Sequence, residues 1–346
     1  MVKFLLTADL HGSDRTDEEL HWSLHVWDHL LTTGRKLKVD AVIITGDIIH
    51  YKYGLSARLL LHISRMLQDY PKPVIILPGN HDIPWPTSPE DTVLELIAGA
   101  KVLTKPFLWV LEEAILAFMP WRPPDSYQDL LHQLTLEAMK LGAGRNKKAF
   151  LFSHVALHEG HVSSSNIRIT TPIRAHHLYL DTYDHVFLGD YHARQQIKNI
   201  TYIGAPRPRT HGDYDNKGFM TLTIPDSGAW TVGSVDPHPE WPQYITRRVQ
   251  CESDFPLPKG RPQDKIRVYA PLEMMRWVQE TYPNYKVQVL EGVKIKQSDN
   301  RLGDIESLDP WNIFTRWLKI RGYTSKIYQQ LGRQYIEEIP EKTSKV

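Results

Sequence analysis

Five short clusters of aspartate, asparagine and histidine each follow an apolar run. Asp9 and His11 close "KFLLTADLH", and Asp47 follows "DAVIITGD". Asn80, His81 and Asp82 follow "PVIILPGNHD", His154 closes "AFLFSH", and Asp190 and His192 close "HVFLGDYH". These side chains offer carboxylate and amide oxygen and imidazole nitrogen, with no thiolate. Such a set suits Mn²⁺, Fe²⁺ or Zn²⁺ better than Ca²⁺ or Cu(I). Seven ligands fit two divalent ions if one carboxylate bridges. Two ions about 3.5–4 Å apart can clamp a phosphate and hold a hydroxide in line with the scissile bond. A histidine beside them can protonate the leaving oxygen. Singly the clusters say little, since Gly-Asp is a common turn. "GNHD" says more, because a run of polar residues after a fully apolar strand costs desolvation unless it finds partners.

The elements that must position these groups are legible around them. The apolar runs at 3–8, 40–45, 73–78, 149–153 and 185–189 read as buried strands, each ending where a cluster begins. Open α/β sheets place their sites at the carboxyl ends of such strands. Gly46, Gly79 and Gly189 let the backbone turn sharply there. Between the strands, helices are expected. Thr16 caps one, with Glu19 closing a capping box and Leu20, Leu24, Trp27 and Leu31 at helical spacing. "SARLLLHISRMLQ" and "SYQDLLHQLTLEAMKLG" supply two more. A further helix is expected from Ser88 as cap and Pro89 at the first helical position. Later short strands are "TYIGA", "FMTLTI" and "WTVGSV". Continuous apolar strands alternating with helices indicate sheets covered on both faces.

Near Asp236 the composition changes at "DPHPEWPQ". "KIRVYAP", "LEMMRWVQETYP" and "YKVQVLE" then read as strand, helix and strand, a small α+β unit. A polar linker and two terminal helices complete the chain. The first runs from Asp309 and Pro310 with Trp311, Ile313, Phe314, Trp317 and Leu318 on one side; the second carries Ile327, Leu331 and Tyr335. Such a stripe has more apolar surface than a helix pair can bury, which suggests a partner. The reading is therefore a core at 1–235, a second domain at 236–298, and a linker with docking helices at 299–346.

Composition narrows the function. The 346 residues carry a net charge of +1 and one cysteine, Cys251, so neither a disulfide framework nor a multi-cysteine zinc site is available. No stretch approaches the roughly 18 apolar residues of a membrane span. The opening apolar run is interrupted at Asp9 and is too short for a signal peptide, so an intracellular setting is expected. A neutral total leaves nucleic acid open, through local basic groups. Arg207 and Arg209, soon after His192, are candidate phosphate contacts, as are Arg247, Arg248 and the cluster Arg145, Lys147 and Lys148. His50, just beyond Asp47, is a candidate substrate contact. His21, His25 and His29 recur every four residues and read as a solvated or semi-buried helix face; His211 is an ordinary histidine by the same reasoning.

In order, D-x-H, G-D, G-N-H-D, a lone His and a final G-D-x-H resemble the signature of the calcineurin-like metallophosphoesterases. The resemblance implies an α/β (α+β) fold: a two-sheet sandwich flanked by helices, with a two-metal site. It implies that Asp9, His11 and His192 hold one ion, that Asn80, His154 and Asp190 hold the other, and that Asp47 bridges. It makes His81 the general acid or transition-state stabiliser and Asp82 the residue that orients it. The family usually has His where Asp190 stands. A carboxylate still ligates, and its extra charge favours harder, oxygen-preferring ions such as Mn²⁺, with Mg²⁺, Fe²⁺ or Zn²⁺ as alternatives. Within the family, "KFLLTADLHG", "GDIIH" and "YIGAPRPRT" with "NKGFMTLTI" are similar to the SbcD-type DNA-repair nucleases and their meiotic-recombination and phage relatives. That likeness implies a capping, DNA-binding domain after the core and terminal helices gripping an SbcC-type coiled-coil ATPase. It implies a homodimer acting as a 3′–5′ exonuclease on duplex DNA and an endonuclease on single strands and hairpins, in recombination and repair. The setting would be a bacterial cytoplasm or a phage-infected cell. Two other readings stay open: a phosphodiesterase or phosphatase for small nucleotides, and a catalytically silent adaptor for the ATPase.

Overall fold

A computed structural model describes residues 1–52, 57–161, 170–211, 213, 217–257 and 259–289. The linker and terminal helices expected after 298 lie outside the described residues.

The first strand, β1 (Val2–Thr7), is followed by α1 (Asp17–Leu37), β2 (Ala41–Thr45), α2 (Ala57–Gln68), β3 (Val74–Leu77) and β4 (Lys101–Val102). Then come β5 (Phe107–Val110), β6 (Ala114–Met119), α3 (Pro124–Lys140), β7 (Lys148–His154), β8 (His185–Gly189), β9 (Gln195–Ile197) and β10 (Ile200–Tyr202). The strands β11 (Phe219–Ile224) and β12 (Thr231–Val235) follow, then β13 (Tyr244–Arg248), β14 (Lys265–Ala270), α4 (Leu272–Thr281) and β15 (Lys286–Val289). Two six-stranded sheets result, ordered β12-β11-β1-β2-β3-β4 and β5-β6-β7-β8-β10-β9, with a third of order β13-β14-β15. The strands that carry site residues run parallel within their sheets: β1 beside β2 beside β3, and β6 beside β7 beside β8. All five site clusters therefore emerge at carboxyl ends.

Alternation explains the continuous apolar strands. In β1, Phe4 and Leu6 enter the layer between the sheets, while Leu5 packs outward with α1 residues Trp27, Leu30 and Leu31. In β7, Phe150 and Phe152 enter the same layer, and Ala149 and Leu151 pack outward with α3 residues Leu131 and Leu134. Both faces of each strand are dry, so neither face can be polar. Phe152 stacks at 5.2 Å on Phe118 and at 5.3 Å on Phe187, joining three strands through one column of rings.

A local signal accounts for the start of α1. Thr16 Oγ1 accepts the Glu19 N–H at 3.1 Å. The Glu19 carboxylate meanwhile accepts from Ser13 Oγ at 2.6 Å. Lys38 closes α1 in the left-handed conformation. The helix expected from Ser88 does not form; one 3₁₀ turn, Val93–Leu96, stands there, capped by Thr92 Oγ1 at 3.3 Å from the Leu94 N–H. The reason is a competing set of bonds. The Pro89 carbonyl faces the Arg122 guanidinium, and Thr92 Oγ1 also donates back to the Asp82 carbonyl, which holds the segment in an irregular path.

The described chain divides into two compact units. One comprises 1–247, 256–268 and 284–286, and holds both large sheets. The other comprises 248–255, 269–283 and 287–289 of the described residues; in it Phe255 packs edge-on against Trp277 at 4.5 Å. Strand β13 is not among the elements that the sequence pattern predicts, whereas β14, α4 and β15 match the expected strand, helix and strand.

Candidate metal centre

The loop after β1 carries Asp9 and His11, and that after β2 carries Asp47. Asn80 and His81 follow β3, His154 is the last residue of β7, and Asp190 and His192 follow β8. Asp9 (φ 54°), His11 (φ 45°), Asp47 (φ 54°) and Asp190 (φ 99°) all have positive φ. Non-glycine residues rarely adopt this backbone, and where it clusters it commonly marks a functional site. Gly79 is needed for a different reason: a Cβ there would collide with the Asp47 carboxylate and backbone.

The seven expected ligands converge. His11 Nε2 lies 2.8 Å from His192 Nε2 and 3.4 Å from Asp47 Oδ2. On the other side His154 Nε2 lies 3.4 Å from Asp47 Oδ1, 3.5 Å from Asp190 Oδ1 and 3.1 Å from Asn80 Oδ1. Asp47 thus turns one oxygen to each histidine, the arrangement a bridging carboxylate needs. Two donors bound to one ion at about 2.0–2.2 Å stand roughly 3–3.5 Å apart at tetrahedral or octahedral angles. Most of the observed spacings fall in that range. Asp9 spans both groups: its ligand oxygens lie with those of His11 and His192 and with those of Asp47 and His154.

The electrostatics call for cations. Asp9 is fully buried, its Oδ1 accepts the Asp190 N–H at 3.0 Å, and its Oδ2 has no partner among the described residues. Burial pushes the Asp9 carboxyl up to about 8, with Asp47 and Asp190 adding to the rise and His154 opposing it. Burial would depress His154, but Asp47 and Asp190 outweigh it and raise the ring to about 10. A buried carboxylate that would bind a proton at neutral pH, with one oxygen unpartnered, fits a site for divalent ions. The His154 tautomer fits too. Its Nδ1 lies 2.8 Å from the Thr45 carbonyl, to which it must donate, so in the neutral ring that a metal would bind the Nε2 lone pair faces Asp47, Asp190 and Asn80. Such outer hydrogen bonds orient ligating histidines.

His81 is held differently from the sequence expectation. Its Nδ1 donates to the His50 carbonyl at 2.7 Å, and its own N–H donates to Asp47 Oδ1 at 2.9 Å. Asp82 does not touch the ring. Its buried carboxylate accepts the N–H groups of Ile48, Ile49 and Gly79 at 2.8–3.1 Å, tying together the loops after β2 and β3. Burial and then Asp47 raise Asp82 to about 7 against those donors. His50 lies parallel to His81, ring centroids 6.0 Å apart, so it belongs to the rim of the same site.

Arg207 and Arg209 are buried to different degrees, and Arg207 Nε and Arg209 Nη1 have no hydrogen-bond partner among the described residues. Burial lowers both guanidinium pKa values, partly offset by Tyr244 and then Asp213. Two further residues that sequence reasoning misses stand beside His192. Asp213 Oδ1 lies 3.9 Å from His192 Nδ1, and the buried Lys217 Nζ donates to the His192 carbonyl at 2.8 Å. Their signal in sequence is weak: an ordinary lysine before a glycine, with nothing marking it as buried. On α1, His25 and His29 are semi-buried, as expected, and meet His238 at 4.6 and 4.8 Å. His25 Nδ1 accepts from Trp241 Nε1 and His238 Nδ1 from the Glu240 N–H, so each neutral ring carries its proton on Nε2 and offers no lone pair there. His25, His238 and Glu240 therefore do not make a second metal centre in this arrangement. Nor does any helix among the described residues have the length and hydropathy to cross a membrane.

Two sheets, strand-end ligands and a split carboxylate between two histidine groups define a metallophosphoesterase. The model of the calcineurin-like phosphoesterase family matches residues 2–203, and the chain belongs to that family. It is 22% identical over 250 residues to an exonuclease subunit 1 of enterobacteria phage T4, covering 66% of this chain and 69% of that protein. Among solved structures it is similar to a dimetal phosphatase from Danio rerio (13% identity, TM-score 0.45, 65% of this chain and 93% of that one). It is also similar to the nuclease MPE of Pseudomonas putida (18% identity, TM-score 0.28, 48% and 66%).

Proposed function

We propose that this chain is a metal-dependent DNA nuclease, acting on duplex ends as a 3′–5′ exonuclease and on single strands and hairpins as an endonuclease. The observation that carries phosphodiester hydrolysis is Asp47, with one oxygen 3.4 Å from His11 Nε2 and the other 3.4 Å from His154 Nε2. Around it Asp9, His11 and His192 would hold one divalent ion, and Asn80, His154 and Asp190 the other. When bound, such a pair supplies charge neutralisation at the phosphate and an activated nucleophile. The chain's own residues do the rest. The His50 carbonyl fixes the His81 proton on Nδ1 and leaves Nε2 free in the neutral ring; once protonated, Nε2–H can be given to the leaving oxygen. Asp82 holds the two loops in register for that transfer.

DNA as the substrate is supported by the phage relative named an exonuclease subunit. It is also supported by a basic cleft of about 640 Å³, lined among others by Arg209, His211, Tyr244, Lys265, Arg267 and Lys286. With Asp264, its single carboxylate, paired to Arg261 at 2.9 Å and Lys265 paired to Glu18 at 2.6 Å, the lining still carries more cations than carboxylates, which favours a phosphate backbone. We further propose Mn²⁺ as the working metal, since Asp190 adds a carboxylate to the donor set. The remaining parts of the reading are a homodimer, the SbcC-type ATPase as partner and a role in DNA repair.

The test incubates the full chain and His81→Ala with Mn²⁺, using labelled duplex and single-stranded DNA and bis(p-nitrophenyl) phosphate. Metal-dependent DNA cleavage that falls at least about 100-fold in the variant supports the proposal. Hydrolysis of the small diester without any DNA cleavage overturns it in favour of a small-nucleotide phosphodiesterase. Failure to bind metal or to cut either substrate points to an adaptor.

A further inference from the structure

We infer that Trp85 is a nucleobase-stacking site beside the metal centre, offering its indole to an unstacked base of the substrate strand. This rests on the nuclease reading and says how the site would grip the strand. The segment between the centre and the indole is short and fixed. Asp82 and Ile83 are fully buried and Pro84 is buried as well, so the root of the loop is set in the core. Trp85 then emerges 60% exposed. Pro84 and Pro86 flank it, fixing φ on both sides, so little backbone freedom remains to be lost on binding.

The rest of the loop is fastened. The Trp85 carbonyl accepts the Ser88 N–H at 2.9 Å. Thr92 Oγ1 donates to the Asp82 carbonyl at 2.8 Å, closing the base of the loop. Arg122, 3% exposed, donates to the carbonyls of Trp121 and Thr104 and reaches that of Pro89 at 3.5 Å. Exposed loop tips usually carry small polar residues and tolerate motion. This one is anchored at both ends and presents the largest apolar side chain to solvent.

Location selects the occupant. Three residues span at most about 11 Å, so the Trp85 Cα stands within that distance of the Asp82 Cα. Stacked strands advance about 3.4 Å per nucleotide and unstacked ones more, so the indole stands within a few nucleotides of a phosphate at the metal centre. The indole carries no charge, so it adds nothing to phosphate binding. A π-face near a strand grips any base without reading sequence.

The test measures kcat and KM of the full chain, Trp85→Ala and Trp85→Phe on a single-stranded oligonucleotide with Mn²⁺. A series carrying one abasic nucleotide at each position around the cleaved linkage is run in parallel. The inference expects KM to rise about 5- to 100-fold in Trp85→Ala, with kcat changed much less and Trp85→Phe close to wild type. One abasic position should impose the same rise on the wild-type chain and none on Trp85→Ala. Equal KM for Trp85→Ala and wild type overturns the inference, and so does a loss that every abasic substrate leaves intact. In both cases the nuclease reading still stands. If the wild-type chain cuts no oligonucleotide, that reading falls and takes this one with it.

Discussion

Strand β8, which delivers Asp190 and His192, begins with a buried histidine that should make the whole chain acid-sensitive. His185 is 6% exposed, with Nε2 2.8 Å from Thr201 Oγ1 and its ring against Phe187 and Trp230 at 4.8 and 5.2 Å. Burial alone holds its pKa down at about 4, against 6.5 for the free side chain. The folded state therefore resists a proton that the unfolded chain accepts. Stability from this group is complete above about pH 6.5 and declines as the pH falls from there toward 4. At 1.36 kcal/mol for each tenfold difference in proton affinity, the full effect is about 3 kcal/mol, of which about 2 kcal/mol is lost by pH 5. The perturbation is His185→Gln, which keeps a polar partner for Thr201 and cannot titrate. Urea unfolding of both chains at pH 7 and pH 5, in chelator so that metal release does not contribute, gives the double difference. The wild-type chain should lose about 2 kcal/mol more than the variant over that interval, and the other histidines cancel. A double difference below about 0.5 kcal/mol, or a His185 titration near 6.5 by NMR in the folded chain, refutes the reasoning.

Further outcomes rest on the same geometry. Asp190→Ala should weaken binding of the second divalent ion by 10- to 100-fold in calorimetry, whereas Asp190→His should retain it and shift preference from Mn²⁺ toward Zn²⁺. Arg122→Met strands the Thr104 and Trp121 carbonyls and should cost about 3 kcal/mol by urea unfolding. Thr16→Ala removes the α1 cap and should cost about 1 kcal/mol by the same measurement.

The candidate metal ligands are legible in the sequence because a strand end is a topological address. Once 3–8, 40–45, 73–78, 149–153 and 185–189 read as buried parallel strands, the loop after each strand is brought to one edge of the sandwich. Residue type then names the chemistry. The groups that hold those ligands are not legible, because they are mostly backbone. The partner of His81 is the carbonyl of His50 and that of His154 is the carbonyl of Thr45, and every residue has a carbonyl. The family resemblance makes Asp82 the orienter of His81, yet its carboxylate collects three amides from two loops. Asp213 and Lys217 approach His192 from more than twenty residues away, a separation that periodicity does not describe. The expected helix at Ser88 fails for a related reason: cap chemistry is local, but the bonds from Arg122 and Thr92 that override it are not.

Asp190 brings these threads together. Its type departs from the family pattern, and its place does not: Oδ1 stands 3.5 Å from His154 Nε2, where a histidine nitrogen would otherwise be expected. Its φ of 99° is a strained backbone for a residue with a Cβ, and its N–H is spent on Asp9 Oδ1. A residue kept in that conformation by one carboxylate, while facing a histidine with its own, is positioned by the cluster it completes. The extra negative charge raises Asp9 further and raises His154 as well, so this site demands more positive charge than one with histidine at 190. That demand makes the choice of metal, more than the presence of one, the property that a substitution at 190 should change.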